Sequence, residues 1–162
     1  MTASGVISWH VEGAYNPSDR GSSAGGNHIV LDAPIHYGRL RRAKGDALCK
    51  PSSKFWGLTG PENREIDCHH CIRTALHLGM GIDARAALDL GSRWYGSLIV
   101  RQGLLSAIEF RTRPSRWTLP PPVPPQPDRL LQAVRPIAPW VKTVRVSGAH
   151  SAESSFGSAT IE

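Results

Sequence analysis

Long apolar runs are missing from this chain, and cysteine is scarce. No stretch approaches the roughly 18 apolar residues that a membrane-spanning helix needs. The N-terminus has neither the basic start nor the continuous apolar segment of a secretory signal, which implies residence in the cytoplasm. Only three cysteines occur, an odd number and too few for a disulfide framework. Enzyme signatures are lacking as well. There is no H-E-x-x-H, no H-x-E…P-C-x-x-C, no phosphate-binding glycine loop and no nucleotide fingerprint. No Ser/His/Asp arrangement stands out either, so the expectation is a protein that is not an enzyme.

What is present is unevenly spread. Gly (16) and Pro (13) are abundant, and they divide the chain. Residues 1–27 are rich in Gly, Ser and Asn and read as a flexible lead. Residues 28–80 carry the chemistry. Residues 81–113 read as a short helical extension: Asp83 suits a cap, 84–90 a short helix and Gly91 its stop. Residues 114–162 begin with a proline tract at 119–127 and end in a polar tail. The fold class expected is α+β: a small zinc-stabilised β-hairpin plus helix module, a short helical extension and irregular termini.

Within 28–80, His28-Ile29-Val30-Leu31-Asp32 is β-prone, Pro34 interrupts it, and Ile35-His36-Tyr37 resumes it. The turn signal Gly45-Asp46 then leads into Ala47-Leu48-Cys49. A hairpin returning Cys49 to His36 is the simplest reading. A helix starts close to Asp67, and Cys68, Cys71, Ile72, Ala75 and Leu76 fall on one of its faces. A tetrahedral metal favours such a mix of thiolates and imidazole, so Zn2+ bound by His36, Cys49, Cys68 and Cys71 is predicted. His28 and His77 stand as alternatives for the fourth position. His69 and His70 point away from the Cys68/Cys71 face. The plainer reading makes the cysteines ordinary core residues. It leaves so small a module without an obvious source of stability.

These residues also carry a family likeness. Ile35-His36-Tyr37, Ala47-Leu48-Cys49-Lys50, Leu58-Thr59-Gly60 and Ile66-Asp67-Cys68-His69-His70-Cys71-Ile72-Arg73-Thr74-Ala75-Leu76 resemble small zinc-binding proteins of actinobacteria and their phages or plasmids. Lys50 replaces the usual glycine, and Ile66-Asp67 replaces Val-Thr. The resemblance implies a zinc site and leaves the biochemical role open.

Charge supplies the functional expectation. Of a net +6, much lies between residues 36 and 64, where seven basic residues face only Asp46 and Glu62. Arg39, Arg41, Arg42, Lys44, Lys50 and Lys54 form a basic loop that could grip phosphates, with Phe55 or Trp56 stacking on a base. The expected function is therefore a small accessory or regulatory protein that binds DNA or other nucleic acid, of the kind carried by mobile genetic elements. A solvated basic loop is the plainer alternative. The second functional reading is a zinc-stabilised adaptor that offers 119–127 to a protein partner; its plainer counterpart is a stiff linker.

Overall fold

The computed structural model describes residues 6–13, 26–50, 65–91, 93–117, 123–147 and 156–162. The chain forms two compact units, Met1–Ile82 and Asp83–Glu162. Strands dominate, and the α+β expectation of a hairpin, a helix and a helical extension is overturned by a five-stranded antiparallel sheet.

In the first unit, β1 (Trp9–Gly13) pairs antiparallel with β2 (Asn27–Leu31), so Trp9 lies opposite Leu31 and Gly13 opposite Asn27. The other edge of β2 is also used. Leu31 N donates to Asp46 O at 3.0 Å and Leu48 N to Ile29 O at 2.8 Å. With both edges paired, β2 is central, and Ile29, Val30 and Leu31 are buried. Between these pairings, β3 (Ile35–Tyr37) and β4 (Leu40–Arg42) make a separate two-stranded hairpin. Its two-residue turn begins at Gly38, whose φ of 58° suits glycine. The nine-residue helix α1 (His69–His77) buries Cys71, Ile72 and Ala75. That is the face expected from the spacing.

One polar cluster fastens the first strand. His10 Nδ1 lies 2.6 Å from Asp32 Oδ1, and Nε2 lies 2.7 Å from Glu12 Oε1. Ser8 Oγ also donates to Asp32 Oδ2 at 3.0 Å. Glu12, then Asp32, raise the His10 pKa above its ordinary value, against a smaller effect of burial. A raised folded-state pKa contributes stability that is complete below the unfolded value and fades as pH climbs through the folded one. Amide exchange in β1, corrected for intrinsic rates, should therefore quicken as pH rises above the ordinary histidine value of about 6.5. In His10→Gln that extra acceleration should vanish; its persistence would remove His10 as the cause.

The second unit corrects the sequence reading of residues 81–113 and of the tail. Strands β5 (Ala84–Asp89), β6 (Trp94–Arg101) and β7 (Leu104–Thr112) replace the expected helical extension. Residues 144–147 and 156–161, read as irregular tail, are β8 (Val144–Ser147) and β9 (Phe156–Ile161). The sheet order is β5-β6-β7-β9-β8, antiparallel at every described pairing. Period two explains the outcome: Ala84, Ala86 and Leu88 are buried, while Ala87 and Asp89 are exposed. Gln102 and Gly103, with φ of 49° and 76°, form the two-residue turn that sends β7 back along β6. Asp83, expected as a helix cap, instead accepts a hydrogen bond from Gln102 N at 2.8 Å.

Helix α2 (Pro127–Val134) starts with proline at its first turn and buries Leu130 and Val134. It contacts β8 and β5, covering the sheet face that carries Leu98, Ile108 and Phe110. Trp94 meets Phe110 edge-on at 5.5 Å and donates to Val123 O at 3.0 Å. Pro125 is buried, so the described end of the proline tract serves the interior of this unit.

Candidate metal centre

Three short segments of the first unit converge on one point. His28 comes from β2, Cys49 from the turn after it, and Cys68 and Cys71 from the start of α1. One donor atom from each lies within 4.8 Å of all the others. His28 Nδ1 is 3.4 Å from Cys49 Sγ and 3.6 Å from Cys71 Sγ. Bonds of about 2.3 Å to sulfur and about 2.0–2.1 Å to nitrogen, spread tetrahedrally, require N···S edges of about 3.6 Å. The spacing fits a shared tetrahedral ion. Cys71 is buried, and the other three residues are partly buried.

Local backbone chemistry explains the convergence. Leu48 N bonds to Ile29 O, and Lys50 N bonds to Ala47 O at 3.2 Å, which curls 47–50 into a tight turn beside β2. Arg42 braces that turn. Its Nε donates to Leu48 O and its Nη2 to Cys49 O, each at 3.2 Å. On the other side, Asp67 N and Cys68 N both approach Asn27 O at 3.3 Å. Asn27 Nδ2 donates to Glu65 O at 3.0 Å, and Asn27 N donates to the Asp67 carboxylate. Asp67 therefore does not cap α1, as its position had suggested; Cys68 holds the N-cap place, with no side-chain cap bond. Burial raises the Asp67 pKa, partly opposed by the bond from Asn27. The Cys68–Cys71 spacing puts both sulfurs at the positive end of α1, which favours thiolates.

Proximity displaces the protons of His28, Cys68 and Cys71 strongly. Hydrogen bonds with Cys49, then Cys68, push His28 up to about 9. Cys68 is held far below the ordinary thiol range by Cys49 and then Cys71. Cys71 is driven far above it by Cys49, then Cys68, with burial adding to the effect. A metal replaces these protons, because it binds neutral imidazole and thiolate. Binding therefore releases protons, and acid opposes it.

The structure brings together the three predicted cysteines but places His36 elsewhere. His36 is exposed on β3, opposite Arg41, because the turn at Gly38 closes the hairpin before Cys49 is reached. His28, one of the two alternatives, takes the fourth position; His77 lies in the last turn of α1 and is not in the group. The signal in the sequence was the β-prone run that starts at His28, the strand on which the cysteine turn docks. Of the predicted basic residues, Arg39, Arg41, Lys44 and Lys50 are exposed, whereas Arg42 is engaged with the turn. Lys54, Phe55 and Trp56 lie outside the described residues.

Residues 20–79 match the model of a domain of unknown function, DUF8336. The matched segment contains all four metal-site residues and the β3–β4 hairpin. No curated protein and no solved structure matches the chain. Among the described residues, no helix is long and apolar enough to cross a membrane.

Proposed function

We propose that the first unit is a zinc-stabilised module that binds nucleic acid through the β3–β4 hairpin. The metal assignment follows from the donor set: three sulfurs and one imidazole at tetrahedral spacing suit zinc. Four protein donors fill the coordination sphere, so the ion in this reading is structural and leaves no open position for a reacting group.

The observation that carries the nucleic-acid reading is the exposure of Arg39 and Arg41 on the hairpin, beside Tyr37 at 45% exposed. Lys44 follows the hairpin, and Lys50 ends the cysteine turn; both are exposed. Arg42 ties the hairpin to that turn, so the metal site holds the loop in shape. Ordered cations lose less conformational entropy on meeting a phosphate backbone. A role in a mobile genetic element, implied by the resemblance of residues 35–76, belongs to the same reading.

Fluorescence anisotropy with labelled DNA and RNA tests it. Replacing Arg39, Arg41 and Lys44 together with Gln should weaken binding at low salt by at least tenfold. The slope of log affinity against log salt should fall by about 2 to 3 on duplex DNA, since each lost phosphate contact removes about 0.9. Metal content should not change. Absence of affinity for any nucleic acid in the zinc-loaded chain would defeat the reading.

A protein adaptor is the second reading. The exposure of Trp117 (79%) and Trp140 (48%), which flank the proline tract, speaks for it. Residues 118–122 of that region lie outside the described ones.

A further inference from the structure

A second basic and aromatic surface lies on the five-stranded sheet, far in sequence from the metal module. Tyr95 of β6 and Arg111 of β7 are direct partners across the ladder, so their side chains share one face. Arg113 N continues the ladder by donating to Arg93 O at 2.9 Å. The Arg113 guanidinium carbon sits 6.0 Å from the Tyr95 ring centroid, at the outer range of a cation–π contact. Arg116 and Trp117 follow after a short bend, where Trp117 N donates to Ser115 Oγ at 3.2 Å. Arg111, Arg113 and Arg116 are all exposed, as are Tyr95 (47%) and Trp117 (79%).

The carboxylates of β5, β6 and β7 are already engaged. Glu109 is paired with Arg85 at 2.8 Å, and Asp89, the ladder partner of Tyr95, accepts from Gly91 N at 3.1 Å. Asp89 keeps its negative charge, but against Arg111, Arg113 and Arg116 it leaves this end of the sheet with a net positive charge. An exposed Tyr and Trp interleaved with arginines offer ring faces and cations on the same stretch of surface. Planar rings beside cations match one ligand chemistry well: unpaired bases to stack and phosphates to pair.

We infer that the end of the sheet formed by Tyr95, Arg111, Arg113, Arg116 and Trp117 is a contact surface for single-stranded nucleic acid. The inference rests on the proposal that the chain binds nucleic acid, and it adds the strandedness and a second contact. The hairpin of the first unit meets phosphates by charge. The sheet end adds base stacking, which a closed duplex does not offer.

The experiment uses the full zinc-loaded chain and labelled oligo(dT) and oligo(U), with a duplex of equal length. Three variants are compared: Trp117→Ala, the triple Arg111→Gln, Arg113→Gln, Arg116→Gln, and the hairpin triple of the preceding section. Circular dichroism and metal content check folding, and Trp117→Phe serves as a conservative control. Trp117→Ala should weaken single-strand binding at least fivefold and leave the duplex within twofold, with Trp117→Phe close to the parent. The arginine triple should lower the single-strand salt slope by about 2, at about 0.7 per contact. Unchanged single-strand affinity and slope in both sheet variants overturn the inference, even if the hairpin triple loses binding and upholds the proposed function. Loss in the sheet variants with a silent hairpin triple upholds the inference and defeats the hairpin. Equal binding to polyglutamate or to phosphatidylserine vesicles, with the same sensitivity to Trp117→Ala, would also overturn the assignment to nucleic acid.

Discussion

Removing the metal from the full chain is expected to unfold residues 26–50 and 65–82 and to leave the five-stranded sheet folded. The first unit has little else to hold it. Its described strands are three to five residues long, and its helix has nine, below the length at which isolated helices persist. Its described core is made of a few aliphatic side chains, Ile29, Leu31, Leu48, Ile66 and Ile72 the largest of them, without a buried aromatic ring. Structural zinc contributes about 10–16 kcal/mol in small finger peptides at pH 7, comparable with the whole stability of an ordinary domain. The second unit contains no metal-site residue and keeps its own core around Phe110, Leu98, Leu130 and Ile137. A strong chelator should therefore collapse the amide resonances of 26–50 and 65–82 into the unfolded range while those of β5–β9 stay dispersed. Zinc should restore them, with protons released on binding. A Cys68→Ser, Cys71→Ser double variant should behave like the chelated protein. Sharp, dispersed signals for 26–50 and 65–82 in metal-free protein would refute the structural role.

The second large effect separates two histidines that sequence reasoning could not. His28→Ala should lower zinc affinity more than about 100-fold, beyond the 10–100-fold typical of a lost outer partner. His36→Ala should leave affinity unchanged within twofold, because His36 is exposed on β3 and outside the donor group. Competition with a chromophoric chelator measures both. Cobalt substitution gives an independent check: parent and His36→Ala should share one tetrahedral spectrum, and His28→Ala should lose it. His28→Cys should keep a tetrahedral ion with four sulfurs and stronger charge-transfer absorption. A normal spectrum in His28→Ala would return the fourth position to another residue.

The contrast between those histidines shows where reading a sequence works and where it stops. Cys68-x-x-Cys71 with helical spacing was legible because three residues along a helix fix the relation of two side chains. The basic character of 39–50 was legible because charge needs no geometry. The role of Arg42 was not: its charge matched its neighbours, and only the folded turn turned its guanidinium toward the carbonyls of Leu48 and Cys49. The error over 81–113 came from weighing isolated helix signals at Asp83 and Gly91 above the alternation of Ala84, Ala86 and Leu88. Continuous burial of Gly96 to Val100 then hid the strand period in β6.

By itself the sequence determined the three thiols of the candidate metal site, the helix that carries two of them, and where cations accumulate. These depend on residue type and on neighbours a few positions apart. The tertiary structure alone decided which histidine completes the cluster, which arginine is engaged with backbone carbonyls, and that β5 to β9 make one sheet. Each of those turns on pairing between segments distant in the chain. His28 meets Cys49 and Cys71 because β2 docks the cysteine turn on one side and the start of α1 on the other. Likewise, β7 and β8 share a sheet because β9, from the far end of the chain, lies between them. Long-range pairing rewards closing a loop whose length says nothing about its partner, so local pattern carries no record of it.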